Sequence, residues 1–308
     1  MTRASVCASA ALAASAVLIS ACSTAGPAVS GPPGQHVVQV VAAENFWGSI
    51  AAQVGGKHVH VTSIITNPNA DPHTYEPNTA DARAIATAQL VIENGIGYDP
   101  WVARLLGSTS SHPEVIDVGS VLGVPDGGNP HRWYNPGNVR TIIARMVAAF
   151  SRAVPSASAY FRYQQKRFET MTLRPYYQLI ATIRAKYSGT PVGASESIFA
   201  MLAPALGLKL ITPYSFLKAI SEGTDITAAD KLTIDKQIRN HLIKIYVYNR
   251  QNVTPDIQAQ LALARAEHIP TATITETLVP PTGTYQAWQI RELRGILQAL
   301  NQAAGQRG

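Results

Sequence analysis

Three stretches of this sequence carry side chains suited to holding a cation or a proton, with little around them that can pack. Residues 69–81, NADPHTYEPNTAD, place His73 among Asp71, Glu76 and Asp81. Residues 129–138, NPHRWYNPGN, place His131 in a second polar stretch with no helical or strand period. Residues 193–196, GASE, put Glu196 just past a short apolar run. The two histidines are 58 residues apart and Glu196 lies a further 65 along. They can form no local finger and can meet only where separate elements converge. Imidazole nitrogen combined with carboxylate oxygen suits a divalent first-row metal. Neither histidine has a partner four residues on, so no helix-borne HExxH pair exists.

The elements that must position these loops alternate. Strands are expected over 36–43, 58–65, 89–95, 114–119, 190–196, 209–214, 243–249 and 271–276, where β-branched residues cluster or alternate. Helical spacing is read over 45–56, 79–88, 138–154, 197–208, 227–242, 254–268 and 285–303. Thr79 is the expected N-cap of the second helix, and Thr254 with Pro255 that of the helix over 254–268. The result is an α/β fold of two lobes, each with a mostly parallel sheet flanked by helices. Residues 156–188 read as one long helix linking the lobes, with Pro175 expected to kink or break it. Sheets of this kind gather ligands at the carboxyl ends of their strands, where all three loops fall. The expected organisation is 1–21 signal peptide, 22–35 tether, 36–155 N-terminal lobe, 156–188 linking helix and 189–308 C-terminal lobe.

The first 26 residues contain one Arg, an Ala-rich apolar stretch and then small residues, the layout of a secretory signal. Ile19-Ser20-Ala21-Cys22 resembles a bacterial lipobox, with Cys22 the lipidated first residue of the mature chain. The alternative is a plain secretory signal in which Cys22 is incidental. Cleavage there removes Cys7, the only other cysteine, and Arg3, taking the formal charge from +6 to +5. The mature chain then has no disulfide, and a metal site must use His, Asp or Glu. Residues 23–35 are Gly/Pro/Ser-rich and lack aromatics, a flexible tether. The mild charge, without a dense Lys/Arg run, argues against nucleic-acid binding.

Each polar feature also has a plainer reading. Asp71 and Glu76 can cap the loop or accept an imidazole N–H, and Asp81 can be a first-turn helix acid. His58 and His60 share a strand face, more simply a solvated face than a metal pair. His36, His112, His241 and His268 stand at element ends and read as surface residues. NGIGYDP, residues 94–100, lacks the third glycine of a nucleotide fingerprint and reads as a turn. Trp133 is expected to pack beneath the second loop. YNRQN, residues 248–252, lies at a strand's carboxyl end and either lines the cleft or holds a loop.

The three polar stretches together resemble the metal-binding solute-binding proteins of ABC importers, the cluster that takes up zinc, manganese or iron. NADPHTYEPNTADARAIATAQLVIENGIGYDPWV is similar to that family's first ligand loop with its helix and strand. NPHRWYNPGNV resembles its second motif, whose usual form is Asp-Pro-His-Val-Trp-Leu-Asp-Pro. GASESIFAMLAPALGL resembles the third, usually Ser-His-Asp-Ala-Phe. The resemblance implies a metal held in the interlobe cleft by His73, His131 and Glu196. Zinc-type members usually have His at the third place and manganese-type members Glu, so Glu196 implies a harder site, shifted toward Mn²⁺ or Fe²⁺ without excluding Zn²⁺. The His-rich loop of many zinc-type members is missing; the stretch before His131 is only VPDGGNP. The family's fourth ligand, aligned on TETLVPPTGTYQAW, falls at Gly283, which has no side chain. A water, Glu276 reaching across, or a three-ligand site then remains.

The resemblance further implies an extracytoplasmic lipoprotein, anchored to the membrane and monomeric. It would hand a divalent transition metal to an ABC permease and its ATPase, with no organic cofactor and no catalysis. A secreted metallohydrolase with a His₂Glu site, and a surface adhesin on the same fold, are the alternatives.

Overall fold

The computed structural model describes residues 37–68, 70 and 72–306. The expected signal peptide, Cys22, the tether, His36 and Asp71 lie outside the described residues.

Eight strands form two sheets. The first contains β1 (Val38–Glu44), β2 (Val59–Ile65), β3 (Leu90–Glu93) and β4 (Glu114–Asp117), in the order β2-β1-β3-β4. The second contains β5 (Pro191–Ala194), β6 (Lys209–Leu210), β7 (Tyr246–Asn249) and β8 (Thr271–Ile274), in the order β6-β5-β7-β8. Every pairing is parallel. The two lobes thus repeat one topology, with the strand order reversing beside β1 in one and β5 in the other. Crevices form at such reversals, outside the carboxyl ends of the strands. A central parallel strand is covered on both faces and needs a near-continuous apolar run. β1 meets this: Val38, Val40, Val41, Ala42 and Ala43 are all buried.

In the first lobe the helices are α1 (Asn45–Gly55), α2 (Thr79–Thr87), α3 (Trp101–Ser108), α4 (Val118–Leu122) and α5 (Pro136–Ala153). α1 and α5 cover one face of its sheet, in a core continuous with the rest of the molecule. Ile85 of α2 and Trp101 and Val102 of α3 cover the other face, against Val41, Ala43 and Val91. The connection is α6 (Ser158–Arg167), one π-type turn (Phe168–Thr172) and α7 (Arg174–Tyr187). Pro175 sits in the first turn of α7, where its missing N–H costs nothing, and the helical path breaks just before it. The second lobe carries α8 (Ile198–Leu206), α9 (Tyr214–Ser221), α10 (Ala228–Arg239), α11 (Pro255–Ala266) and α12 (Tyr285–Gly305).

The long helix is not the sole link between the sheets. The start of α12 docks on α1: Tyr285 N donates to Ser49 Oγ at 3.0 Å, and the Gln53 and Gln286 amides exchange hydrogen bonds. Leu278 N donates to Asn45 Oδ1. Tyr285 O–H donates to the Trp133 carbonyl at 2.6 Å, fastening α12 to the second polar loop.

Several local expectations change. Asn78, not Thr79, caps α2; its Oδ1 accepts from Ala80 N and Asp81 N while Asp81 accepts from Asn78 N, a reciprocal capping box. α3, α4 and α9 were not foreseen, and the strand expected over 209–214 shrinks to Lys209–Leu210. Pro213 removes a backbone donor there and starts α9 instead. Thr254 caps α11 with Pro255 in its first turn, as its sequence implies. Among the described residues, no helix is long and apolar enough to cross a membrane.

Candidate metal centre

His73 rides on a short 3-10 turn, Pro72–Thr74, beyond β2. Its ring meets Tyr98 edge-on, with centroids 4.7 Å apart, and faces the His131 ring at 6.2 Å. His131 is completely buried. Its Nδ1 lies 2.9 Å from Asn129 Oδ1 and 3.2 Å from Ser197 Oγ. The Asn129 amide is oriented by its own Nδ2, which donates to Ser197 O at 2.7 Å, so Oδ1 is the acceptor toward the ring. Nδ1 therefore carries the proton, and Nε2 is the atom that a metal or a second proton can take. Trp133 lies beneath this loop as expected, stacked on Phe46 at 3.9 Å and 5.3 Å from the His131 ring.

The carboxylate facing both imidazoles is Glu276, two residues past β8. Its Oε1 is 3.4 Å from His131 Nε2, and its Oε2 accepts from Tyr98 O–H at 2.8 Å. Burial pushes its carboxyl up, but His131, His73 and the Tyr98 hydrogen bond together outweigh that and hold it below the usual range. His73, His131 and Glu276 each offer one ligand atom, all within 4.8 Å of one another, the one such group among the described residues. Glu196 does not belong to it. It is buried beyond β5, and its Oε2 accepts from Asn249 Nδ2 at 3.0 Å; the same Nδ2 lies 3.5 Å from Glu276 Oε1. The strand order explains this arrangement: β7, which ends at Asn249, lies between β5 and β8, so its amide stands between the two acids.

Gly283 does not occupy the place of an acidic ligand. It lies in a turn, its N donating to Pro280 O at 2.9 Å, while Glu276 supplies the carboxylate. Of the alternatives left by Gly283, Glu276 is the side chain that stands beside the two histidines. Asp81 is spent on the capping box and on Tyr75, whose O–H donates to it at 2.8 Å; Glu76 is exposed. His58 packs against Tyr160 and Phe161 rather than on a solvated face, and His60 is exposed.

Sequence reasoning missed a shell of acids and amides behind the centre. Asp99 accepts from the backbone N–H of Asn94 and Gly95, both at 2.7 Å. The turn expected over NGIGYDP forms with Gly95 and Gly97 at positive φ, and this turn aims Tyr98 at Glu276. Asn94 ties Trp47 to the second loop through Nε1 of the indole and the Pro130 carbonyl. Glu44, at the end of β1, is fully buried; burial first, and then the charge of Asp99, push its carboxyl well up. Burial likewise raises Asp99 to about 6 and Glu93 to about 8. The available signal was position: Glu44, Asn94 and Asn249 all stand at strand carboxyl ends.

Two α/β lobes with a histidine–carboxylate group between them define a class of ligand-binding protein. Residues 40–299 match the family described as zinc-uptake complex component A, periplasmic, and the chain belongs to that family. The iron-binding protein YfeA of Yersinia pestis is 26% identical over 228 residues, 70% of this chain and 67% of that protein. The manganese-binding lipoprotein MntA of Halalkalibacterium halodurans is 29% identical over 107 residues, 33% of this chain and 35% of its own. The MntA lipoprotein of Bacillus subtilis is 25% identical over 46% of this chain and 48% of its own. The chain therefore spans between about a third and two thirds of the length of these relatives. A Mn-bound mutant of a periplasmic metal-binding protein from Candidatus Liberibacter asiaticus superposes with a TM-score of 0.72 at 19% identity, covering 86% of this chain and 99% of the other. A ZnuA crystal structure gives 0.70 at 16% identity over 85% and 99%. These likenesses establish the shared fold.

Proposed function

We propose that this protein captures a divalent transition metal outside the cytoplasm and delivers it to an ABC permease for import. The observation that carries this reading is the convergence of two imidazoles and one buried carboxylate within 4.8 Å at the mouth of two parallel sheets. His73, His131 and Glu276 form the preformed part of the site. Glu196 completes it when the Asn249 amide releases its carboxylate toward the metal. Two nitrogens and two carboxylates make a hard, mixed donor set that suits Mn²⁺ and Fe²⁺ and still accepts Zn²⁺. The names of the relatives, which include manganese- and iron-binding proteins, agree with that range.

Residues 1–21 act as a signal peptide and residues 22–35 as a tether, with lipid carried on Cys22. Several acyl chains on one cysteine give stable anchoring where one chain does not. The lobes correspond to residues 36–155 and 189–308, joined by 156–188. The protein works as a monomer that docks on the permease, and no catalytic step is needed.

Calorimetric titration of metal-stripped protein with Mn²⁺, Zn²⁺ and Fe²⁺ tests the reading. One-to-one binding tighter than micromolar, lost in His73→Ala, is expected. Weaker or absent binding of all three overturns it. Cys22→Ser tests the anchor by moving the protein from the membrane to the soluble fraction.

A further inference from the structure

Two openings reach the metal centre, and both pass the same carboxylate. One, of about 130 Å³, runs between Gly127 and Gly128 of the first lobe and Tyr214 and Lys218 of the second. The other, of about 270 Å³, runs between Thr74 and Gly223, reaching Asn249 and Glu276. His73, Ser221 and Glu222 line both. Among the described residues lining either opening, Glu222 is the one acid outside the ligand group.

Glu222 follows a fixed residue and pairs with a lysine one turn earlier. Ser221, the last residue of α9, is buried, and its Oγ accepts from Ser197 N at 3.1 Å and lies 2.9 Å from Ser197 Oγ. Ser197 Oγ is the atom 3.2 Å from His131 Nδ1, so the end of α9 is registered on a ligand. One turn earlier, Lys218 Nζ lies 3.6 Å from Glu222 Oε1 and donates to the Gly127 carbonyl at 3.3 Å. That ammonium crosses the narrower opening from the second lobe to the first. Both side chains are about two-fifths exposed, 41% for Lys218 and 43% for Glu222. Water and salt screen such a pair, so it opens readily.

We propose that Glu222 is an outer docking carboxylate for the incoming divalent metal and that Lys218 is its breakable latch. The inference rests on the metal-binding reading above. A hydrated cation drawn to Glu222 stands at the threshold of both openings, next to His73. Fixed negative charge at a cleft mouth raises local cation concentration and the association rate. Lys218 opposes this in two ways: its charge repels the cation, and its ion pair occupies the acceptor. Removing the two side chains therefore has opposite kinetic effects, a signature that loss of packing does not produce.

Stopped-flow measurement with Mn²⁺ alone, following tryptophan fluorescence from Trp133 beside His131, reads association; excess chelator reads release. Glu222→Gln is expected to slow association about threefold, and Lys218→Ala to speed it about twofold, both differences shrinking in high salt. Glu267→Gln, in an acid that pairs with His241 and lines neither opening, serves as the control at the unaltered rate. Wild-type rates in Glu222→Gln, or slowing in both variants, overturn the docking role while leaving the metal site intact. A wild-type protein that takes up no Mn²⁺, Zn²⁺ or Fe²⁺ overturns both readings together.

Discussion

Glu276 and Glu292 make a controlled comparison within one lobe. Each is 7% exposed, and they lie sixteen residues apart. Burial pushes both carboxyls up, yet Glu276 ends below the usual range and Glu292 rises to about 8. The difference is what each faces. Glu276 looks into the cleft at His131 and His73, and these rings together with the Tyr98 hydroxyl favour the carboxylate form. Glu292 is held among Tyr134, Thr275 and Trp288, where burial outweighs their hydrogen bonds. Donation from Thr275 and Trp288 favours its carboxylate, but the contact with Tyr134 points toward a retained proton. Tyr134 O–H lies 2.7 Å from the Thr275 carbonyl and 2.6 Å from Glu292 Oε2 but has one proton to give. A carbonyl can only accept, so a proton retained on Glu292 satisfies both contacts. One buried acid is thus prepared for a cation and the other for a proton. Burial alone does not make a binding site; the imidazoles do.

The largest break in this comparison is removal of the cation-facing side. His131→Ala or Glu276→Gln should weaken metal binding by on the order of a hundredfold or more, about 2.7 kcal/mol. The same variants should lose the metal-induced rise in Tm expected of the wild type; calorimetry and thermal melts check both.

Next comes the proton-facing side. The folded pKa of Glu292, about 8, lies above its ordinary value of 4.5. The folded protein keeps a proton that the unfolded chain loses. This stabilisation is complete below about pH 4.5 and is lost as pH rises toward 8, with a slope of at most about 1.4 kcal/mol per pH unit. Metal-free protein should therefore melt at lower temperature at pH 8 than at pH 5. Glu292→Gln should flatten that dependence without altering metal affinity, whereas a parallel profile would refute the assignment.

Asn249→Ala sharpens the comparison at the border of the centre. Its amide touches both Glu196 and Glu276, and its loss leaves two acids without the donor between them. Affinity should fall about tenfold, in the range typical of groups that orient ligands. The smallest effect is expected from Asp81→Ala, eight residues from His73. It should cost about 1 kcal/mol of stability through loss of the Asp81 half of the capping box and leave metal affinity unchanged, which titration and melting curves can separate.

Much of the centre was legible in the chain. His73 and His131 stood out because polar, non-periodic stretches between apolar runs can only be loops, and parallel sheets deliver such loops to one end. The repeated strand–helix rhythm fixed the two-sheet class for the same reason. The acid that stands beside the two histidines was harder to read. Glu196 and Glu276 both follow short strands, and local pattern does not distinguish them. Alignment put Gly283 at the fourth ligand's place, and loop length between a strand and a helix carries no periodic mark that would have pointed to Glu276 instead. α9 went unseen because Pro213 converts an apolar run from strand to helix start, and with it went Lys218 and Glu222.

By itself, the sequence determined the alternation of strands and helices, the loops that carry imidazole, and the absence of any cysteine beyond Cys7 and Cys22 as a ligand. These are properties of composition and short-range period. Only the tertiary structure decided which acid meets His131, because that depends on strand order: β7 places Asn249 between the ends of β5 and β8. The opposite shifts of the Glu276 and Glu292 carboxyls also come only from the tertiary structure, because a carboxyl's pKa is set by its neighbours in space.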